Sequence, residues 1–500
     1  MKSRITLKHL FTALLAAGMI TVCSPALAIK ASSEPLEGAH IGVAYMLPGT
    51  GEVYGTRMDE YFHPASTQKI VTALAAMLYL GPDYTLNTTL SVTSPAVTDG
   101  RLNVTEDGTL NANVVVHFTG DPSFTAAAYT RLLKTLSTHG VKKINGKVLL
   151  DVSRFGGPDR ANGWSWNDIP VCFTVPATPI VINRNCAYAE LTHHGVGTVS
   201  EPLISSRVPI SITSDAVAVA NRDYGGDCEL QTLLYIDNRY HVTGCVPAEN
   251  KGRPWPLSLS VSDSERWGVD WTEQLLEDLK LKHNGVAVIH QGLNDLTEIA
   301  VIKSEPLKEL ITYMLYRSNN LYADAIAKNI AAEYYAVPAT YARAARAMRA
   351  ILNRYADLDL GNAYIVDGSG LSPHNLITPR QLLTLLSYIA AHDKELGLLE
   401  CFPVSGESGT LHWRGSTVNA PLKHNVIAKT GTLQNISNLA GFVRTDNWKL
   451  APFVMFTNAI TYPERTRDLV RFHRIASPHY AYERYVLENI YARRVMGRDF

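Results

Sequence analysis

The segment His63-Pro64-Ala65-Ser66-Thr67-Gln68-Lys69 leads directly into the apolar run 70–80, which Gly81-Pro82 ends. The run predicts a helix at the centre of a domain. At the Ser-x-x-Lys spacing both side chains lie on one helix face, so the Lys69 amine can reach the Ser66 hydroxyl. Burial would lower the pKa of that amine, and the helix N-terminus would stabilise an oxyanion. The pair predicts a serine nucleophile and its base, although a chain of this length is expected to contain one or two such pairs by accident.

Ser318-Asn319-Asn320 precedes a second apolar stretch that reads as a helix. One interpretation is an ordinary N-cap, in which Ser318 accepts a hydrogen bond from a backbone N–H. The other places Ser318 beside Ser66 and Lys69 as a proton relay. Asn320 would then bond to Lys69 and to the backbone of a substrate. Taken alone, the segment favours the cap.

Lys429-Thr430-Gly431-Thr432 follows the β-like run 425–428. An ordinary strand end with a turn glycine would explain this segment without any function. In the functional interpretation Lys429 presents a positive charge, and Gly431 leaves room for a substrate to lie against the strand. Thr430 and Thr432 then supply hydroxyls for a carboxylate.

The three motifs occur in a fixed order. Ser-x-x-Lys, Ser-x-Asn and Lys-Thr-Gly together are a signature of penicillin-binding proteins and class A β-lactamases. With these motifs the sequence resembles the D-alanyl-D-alanine carboxypeptidase/endopeptidases of the penicillin-binding protein 4 type, which are class C low-molecular-mass penicillin-binding proteins. The resemblance covers essentially the whole mature chain and includes the strings 63–69, 367–372, 409–411, 428–434 and 438–442. The long stretch between Lys69 and Ser318 resembles that family's large insertion, for which class A β-lactamases are too short.

The resemblance implies an α+β fold of the penicillin-binding-protein/β-lactamase-like serine transpeptidase type, with a helical cluster and an antiparallel sheet. It also implies a large inserted, mostly β domain that carries a small nested subdomain. Short alternating runs over 84–263, and helical patterns after 267, agree with this. We expect a signal peptide at 1–28, a catalytic domain at 29–83 and 290–500, an inserted β-rich domain at 84–170 and 236–289, and a nested subdomain at 171–235.

A terminal helix is predicted over 481–495, and its apolar residues recur at i, i+4 and i+8. Such a stripe could mark a membrane-surface helix. Because the stripe is narrow, docking of the helix on the sheet is the favoured interpretation.

A mechanism follows from the resemblance. Ser66 attacks the carbonyl between the last two D-alanines of a peptidoglycan stem peptide, Lys69 is the base, and Ser318 passes a proton to the leaving amine. Backbone N–H groups of Ser66 and Thr432 form the oxyanion hole. The terminal carboxylate is held by Lys429, Thr430 and Thr432. Water then releases the acyl-enzyme. The D-alanyl–diaminopimelate crosslink is cut by the same chemistry, and β-lactams inhibit by acylating Ser66.

Two further residues bear on substrate choice. Asp159 is similar in position to an aspartate of the inserted domain that in related proteins helps to bind the diaminopimelate amine, and Trp164 could line that pocket. The alternative for Asp159 is a turn residue after proline. Pro373 stands where related proteins carry an arginine that helps to hold the diaminopimelate carboxylate, so that carboxylate would be recognised differently here.

Composition and charge exclude some classes of protein. Hydrophobic residues make up 46% of the chain and charged residues 18%, which rules out a largely disordered protein. Lys plus Arg and Asp plus Glu are each 46, so the chain lacks the basic footprint of a nucleic-acid binder.

A basic start, a short apolar stretch and Ala26-Leu27-Ala28 predict a cleaved signal peptide, with a membrane anchor as the alternative. We expect a periplasmic protein without a transmembrane anchor. Loose membrane association and a homodimer are left open.

The cysteines suit an oxidising compartment. Cys172 and Cys186 are near neighbours in sequence, as are Cys228 and Cys245, and two local disulfides are one interpretation. Unpaired buried thiols are the alternative. Cys401 is expected to be a buried thiol rather than a nucleophile. No metal-ligand spacing occurs, and we expect neither a metal nor a cofactor.

Two other functions compete with that of a peptidase. A β-lactamase would need fast deacylation, and no glutamate motif that would support it is apparent. A non-catalytic peptidoglycan-binding scaffold would be free to lose Lys69 or Lys429, and the intact triple motif argues against it. The expected ligands are peptidoglycan stem peptides and crosslinks, with β-lactams as inhibitors.

Overall fold

The computed structural model describes residues 29–93, 96–98, 101–225, 228–249, 253–471 and 474–496. The predicted signal peptide at 1–28 lies outside these residues. Within them, no helix is both long enough and apolar enough to cross a membrane. The helices are α1 (Lys69–Tyr79), α2 (Ala126–Thr138), α3 (Ser264–Asp278), α4 (Leu307–Arg317), α5 (Asn320–Tyr335), α6 (Tyr341–Ala356), α7 (Pro379–Leu396), α8 (Glu464–Arg471) and α9 (His479–Tyr491).

Five antiparallel strands form what we call the core sheet. In spatial order they are Val53–Thr56, His40–Met46, Leu450–Asn458, Ile436–Arg444 and Val426–Leu433. Side chains alternate between the two faces of a strand, and here both faces are buried. Val454 and Phe456 pack with α1 and α4–α7, whereas Phe453 and Met455 pack with α9. The sheet therefore lies between two helical layers.

The helix predicted after Lys69 is α1, and it is buried around most of its circumference. Ile70, Val71 and Leu74 are completely buried. A helix that is apolar on all sides is stable only inside a domain. This burial fixes the start of α1, and with it Ser66, against the apolar cluster of the core sheet.

The chain between α1 and α4 builds a second sheet. Its spatial order is Val286–Ile289, Val148–Asp151, Val114–His117, Asn87–Thr93 and Leu296–Lys303. Helices α2 and α3 share its apolar cluster, although the sequence pattern predicts a mostly β module here. The N-caps of both helices were present in the sequence. The Thr125 side chain accepts a hydrogen bond from a backbone N–H of α2, and that of Asp263 does so for α3.

The second sheet extends past residue 290, where the catalytic domain was expected to resume. Strand Leu296–Lys303 pairs with Asn87–Thr93 in this sheet. Ile302 packs with the apolar cluster of the second sheet, and Leu307 packs with that of the core sheet. We propose that the chain returns to the catalytic domain between these two residues.

Smaller sheets fill the remainder of the insertion. One contains Glu201–Leu203, Cys186–Thr192 and Trp255–Ser260; another contains Ser211–Ser214, Arg239–Thr243 and Gln231–Leu234. Two-stranded pairs join Val217–Val219 to Cys245–Pro247, Val97–Thr98 to Arg101–Leu102, and Thr109–Leu110 to Lys143–Ile144. The disulfides Cys172–Cys186 and Cys228–Cys245 are both formed, which confirms the two local pairings. Cys401 is buried, and burial raises the pKa of its thiol.

Helix α9 docks on the core sheet. Tyr482, Val486 and Ile490 are buried in the apolar cluster that includes Phe453 and Met455 of that sheet. The docking interpretation of the terminal helix is therefore confirmed. The helix ends at Tyr491 rather than at the predicted residue 495.

Candidate active site

Ser66 lies in the 3-10 helix Ala65–Gln68, and Lys69 is the first residue of α1. The Lys69 Nζ donates hydrogen bonds to Ser66 Oγ at 2.9 Å, to Asn320 Oδ1 at 2.7 Å and to the carbonyl oxygen of Ser369 at 2.6 Å. The lysine is completely buried. Burial lowers the pKa of Lys69 to about 8, and the carboxylates of Asp324 and Asp367 oppose this shift. The amine is thus suited to take a proton near neutral pH.

The backbone in front of Ser66 is held in an unusual conformation. Ala65 has φ of 47°, a left-handed value that is rare for a residue other than glycine. The Nδ2 of Asn438 donates to the carbonyl oxygens of His63 and Pro64, at 2.8 and 3.0 Å. Asn438 of the core sheet therefore holds the turn that carries Ser66 in position. A left-handed backbone held in this way is typical of functional sites.

Ser318 lies between α4 and α5 and also has a left-handed backbone, with φ of 53°. Its Oγ accepts a hydrogen bond of 2.8 Å from Lys429 Nζ. The Asn319 side chain, not that of Ser318, accepts from the Tyr322 N–H and caps α5. The cap interpretation of Ser318 is therefore wrong, and its hydroxyl is instead hydrogen-bonded to Lys429 at the cleft.

The strand Val426–Leu433 runs through the Lys-Thr-Gly motif instead of ending before it. Lys429 is completely buried, and burial, with Lys69 and Arg414 adding to it, holds its pKa well below the usual range. Thr430 Oγ1 donates to Thr410 Oγ1 at 2.9 Å. The Thr432 side chain is exposed at the cleft.

Gly431 is needed for packing as well as for access to the strand. A Cβ at this position would lie 2.6 Å from the carbonyl oxygen of Pro64 and 3.1 Å from Thr67 Cγ2. The missing side chain lets the strand approach the turn that carries Ser66. It is this close approach that brings Thr432 next to the serine.

A cleft of about 390 Å³ contains the two serines. It is lined by Ser66, Asp168, Phe173, Ser318, Asn320, Leu371, Thr432, Leu433 and Gln434. Asp168 and Phe173, which no motif in the sequence indicates, reach the cleft from the inserted region. The Nδ2 of Asn320 donates to the carbonyl oxygen of Phe173 at 2.8 Å, which ties the insertion to the second motif. One sequence feature could have indicated these two residues. Cys172, next to Phe173, forms a disulfide, and a disulfide fixes the position of the segment around it.

Asp159 and Trp164 are not among the residues that line this cleft. Asp159 lies at a separate cavity of about 180 Å³, which Lys328 also lines. The Nε1 of Trp164 donates to Asp367 Oδ2 at 3.0 Å, so the indole braces the segment around residue 367. Pro373 is exposed, and the residues lining the cleft include no arginine.

This fold and site define a class of protein, the serine acyl-transfer enzymes of the penicillin-binding kind. In the site, each of two serines accepts a hydrogen bond from a different buried lysine. The model of the D-Ala-D-Ala carboxypeptidase 3 (S13) family matches residues 24–474. The chain belongs to this family, and it is an enzyme of the serine-type D-Ala-D-Ala carboxypeptidases.

Individual relatives agree with the family assignment. The D-alanyl-D-alanine carboxypeptidase DacB of Haemophilus influenzae is 36% identical over 395 residues, which are 79% of this chain and 80% of that protein. The crystal structure of penicillin-binding protein 4 from the same organism superposes with a TM-score of 0.82 and 32% identity, and covers 91% of this chain and 97% of that chain. A second structure of that protein, complexed with a β-lactam, has a TM-score of 0.79. The α+β penicillin-binding fold is therefore confirmed.

Proposed function

We propose that this enzyme is a periplasmic serine DD-carboxypeptidase and DD-endopeptidase. It hydrolyses D-Ala-D-Ala termini and D-Ala–diaminopimelate crosslinks of peptidoglycan through an acyl-enzyme on Ser66. The observation that carries the proposal is the 2.9 Å contact between Lys69 Nζ and Ser66 Oγ, made by a lysine that is completely buried.

Acylation begins when Ser66 Oγ gives its proton to Lys69 and forms a bond to the carbonyl carbon of the penultimate D-alanine. The carbonyl oxygen becomes an oxyanion, which the backbone N–H groups of Ser66 and Thr432 stabilise. Ser318, bonded to Lys429, delivers a proton to the leaving nitrogen as the C–N bond breaks. Water then attacks the ester carbonyl carbon and gives a proton that restores Ser318. As the C–O bond to Ser66 breaks, Lys69 returns its proton to Ser66 Oγ and the acid product leaves.

The Lys-Thr-Gly strand suits the terminal carboxylate of the substrate. Thr430 and Thr432 supply hydroxyls. The anionic carboxylate favours the protonated, charged form of Lys429, which burial alone disfavours. A β-lactam carries a carboxylate beside its reactive amide and would be positioned in the same way. Its leaving group stays attached after ring opening, so the acyl-enzyme should persist.

Asp168 is the residue that we propose for the side chain of diaminopimelate. Its half-buried carboxylate lines the cleft and makes no hydrogen bond or ion pair within the described part of the chain. An ammonium group is the natural partner of such a carboxylate. Phe173, on the same segment, would contact the methylene groups of that side chain. This assignment moves the expected role of Asp159 to Asp168.

Export to the periplasm is supported by two formed disulfides, which persist in oxidising compartments, together with the predicted signal peptide.

Endopeptidase activity needs no further chemistry. A crosslinked stem peptide differs from a free one only in the amine that leaves when the bond is cut. The same acylation step therefore serves both a terminal D-alanine and a crosslink.

The first test is the intact mass of the mature protein after it is mixed with benzylpenicillin, with Ser66→Ala in parallel. We expect a lasting adduct of one drug mass that is absent from the variant. Disappearance of the drug without an adduct would indicate a β-lactamase. Neither an adduct nor turnover would favour a non-catalytic scaffold. Digestion of purified muropeptides, monomeric and crosslinked, then separates carboxypeptidase from endopeptidase activity.

A further inference from the structure

Helix α5 carries three polar side chains along one face, Asn320, Asp324 and Lys328, at successive spacings of four residues. Asn320 accepts a hydrogen bond from Lys69, whereas Asp324 and Lys328 have no part in the steps proposed above. Asp324 and Lys328 are each only 1% exposed. Asp324 lies one turn beyond Asn320, and burial of a carboxylate costs free energy unless it is hydrogen-bonded or paired with a cation.

Asp324 holds a turn of the backbone in place. Its Oδ1 accepts hydrogen bonds from the N–H groups of Gly368 at 2.8 Å and Ser369 at 3.0 Å. The carbonyl oxygen of Ser369 in turn accepts the 2.6 Å hydrogen bond from Lys69 Nζ. A single residue, Ser369, therefore connects the buried carboxylate to the lysine.

This turn is packed tightly between α5 and the residue before Ser66. A Cβ on Gly368 would lie 2.6 Å from the Cβ of Ala327, and a Cβ on Gly370 would lie 1.8 Å from the carbonyl oxygen of Ala65. Thr72 Oγ1 also donates to the carbonyl oxygen of Gly368 at 2.7 Å. The position of the Ser369 carbonyl is thus set by contacts on both sides.

The carbonyl of Ser369 decides how the Lys69 amine is oriented. A protonated lysine has three N–H donors, and three acceptors surround it here. A neutral amine has two N–H groups and one lone pair. When Asn320 Oδ1 and the Ser369 carbonyl accept the two N–H groups, the lone pair faces Ser66 Oγ.

We propose that Asp324 is a positioning residue for the reaction. It anchors the Gly368–Ser369 turn, so that the Ser369 carbonyl aims the Lys69 lone pair at Ser66. The inference rests on the roles of Ser66 and Lys69 in the proposed function.

The charged and titratable groups around Asp324 come from every neighbouring element. Lys69 faces it from α1, Asp367 from the turn, Lys328 from α5 and Tyr341 from α6. Burial raises the pKa of Asp324, Asp367 adds to this, and Lys69 opposes it. The two backbone N–H donors on one oxygen also oppose the shift, but burial outweighs them and the pKa of Asp324 stays raised, at about 8.

The test compares Asp324→Asn with Asp324→Ala in the full mature chain. Asparagine keeps the oxygen that accepts the two backbone N–H groups but removes the charge, whereas alanine removes both. The measurement is the second-order rate of acylation by benzylpenicillin between about pH 6 and pH 10, alongside the unfolding temperature. Asp151→Asn, a buried carboxylate of the second sheet, is the matched control.

We expect Asp324→Ala to lose about 100-fold in rate, the order of magnitude that a misplaced catalytic group costs, and Asp324→Asn to keep most of the rate. In both variants the rise of the rate with pH should move to lower pH, because the loss of a nearby anion lowers the pKa of Lys69. A purely structural role would reduce the amount of active enzyme without moving the profile.

Three results would overturn the inference while leaving the proposed function intact. The first is acylation of Asp324→Ala at the rate of the unmodified enzyme. The second is an equal loss in the asparagine and alanine variants, and the third is an unmoved pH profile in both. Failure of the proposed function is distinct, because the unmodified enzyme would then form no adduct at Ser66.

Discussion

Lys429 Nζ donates a hydrogen bond to Ser318 Oγ at 2.8 Å, although 111 positions separate the two residues in the chain. Lys69 and Ser66 form the same kind of contact at 2.9 Å. Ser66 and Ser318 therefore each accept a hydrogen bond from a different buried lysine. Burial disfavours charge on both lysines, which supports the proposed transfer of protons between the attacking and the leaving side of a substrate.

Ser318 and Asn319 are neighbours with different tasks, and alanine substitution should separate them. Ser318→Ala removes the relay hydroxyl and should reduce the rate of benzylpenicillin acylation by about 100-fold. Asn319→Ala removes the N-cap of α5 and should cost about 1 kcal/mol of unfolding free energy. Acylation kinetics and chemical denaturation of both variants provide the comparison. Equal acylation rates in the two variants would contradict the relay.

The rate of acylation should rise with pH. Burial lowers the pKa of Lys69 to about 8, and a base must be unprotonated to accept the serine proton. The rate is therefore expected to increase up to a pH of about 8 and to level off above it. Lys69→Arg stays protonated over this range and should show no such rise. A flat profile for the unmodified enzyme would refute Lys69 as the base.

Gly431→Ala should damage the site through packing. The added Cβ would meet the carbonyl oxygen of Pro64 at 2.6 Å and push the strand away from the Ser66 turn. We expect slower acylation and a lower unfolding temperature. Gly156→Ala is the matched control, because the nearest atom to its added Cβ is 3.6 Å away. Comparable behaviour of the two alanine variants would rule out this explanation.

Asp168→Asn should weaken binding of substrates that carry the diaminopimelate amine. The expected result is a higher KM for such a peptide, with little change in benzylpenicillin acylation, because the drug lacks that amine. A peptide with an uncharged side chain at this position provides the internal reference. Asp159→Asn is the matched variant and should leave both values unchanged. The reverse pattern would return the role to Asp159.

The buried ion pair between Arg414 and Glu483 should contribute strongly to stability. Burial raises the pKa of Glu483, but Arg414 and Ser416 outweigh this and hold it below the usual value of 4.5. Glu483→Gln leaves the arginine unpaired and should cost about 3 kcal/mol in chemical denaturation. The contribution is present above pH 4.5 and is lost as the pH falls through the lowered pKa. Asp446→Asn, at the exposed pair with Arg493, should cost less than about 1 kcal/mol.

Much of the fold could be predicted because its signals are local. The apolar run after Lys69 has no polar face, and the buried helix that it predicts is α1. Helix α2 was not predicted although Thr125 caps it, because short apolar runs do not distinguish a helix from a strand. For α3 the helical pattern after residue 267 agrees with the structure.

By itself, the sequence determined the family, the three motifs and the elements that carry them, since residue type, spacing and periodic burial are properties of neighbouring residues. Tertiary structure alone decided which side chains meet. It brought Ser318 to Lys429, placed Asp168 rather than Asp159 at the cleft, and set Asp324 behind Lys69. These contacts join segments that lie far apart in the chain. They depend on how the core sheet, α5 and the insertion pack together, which no local pattern records.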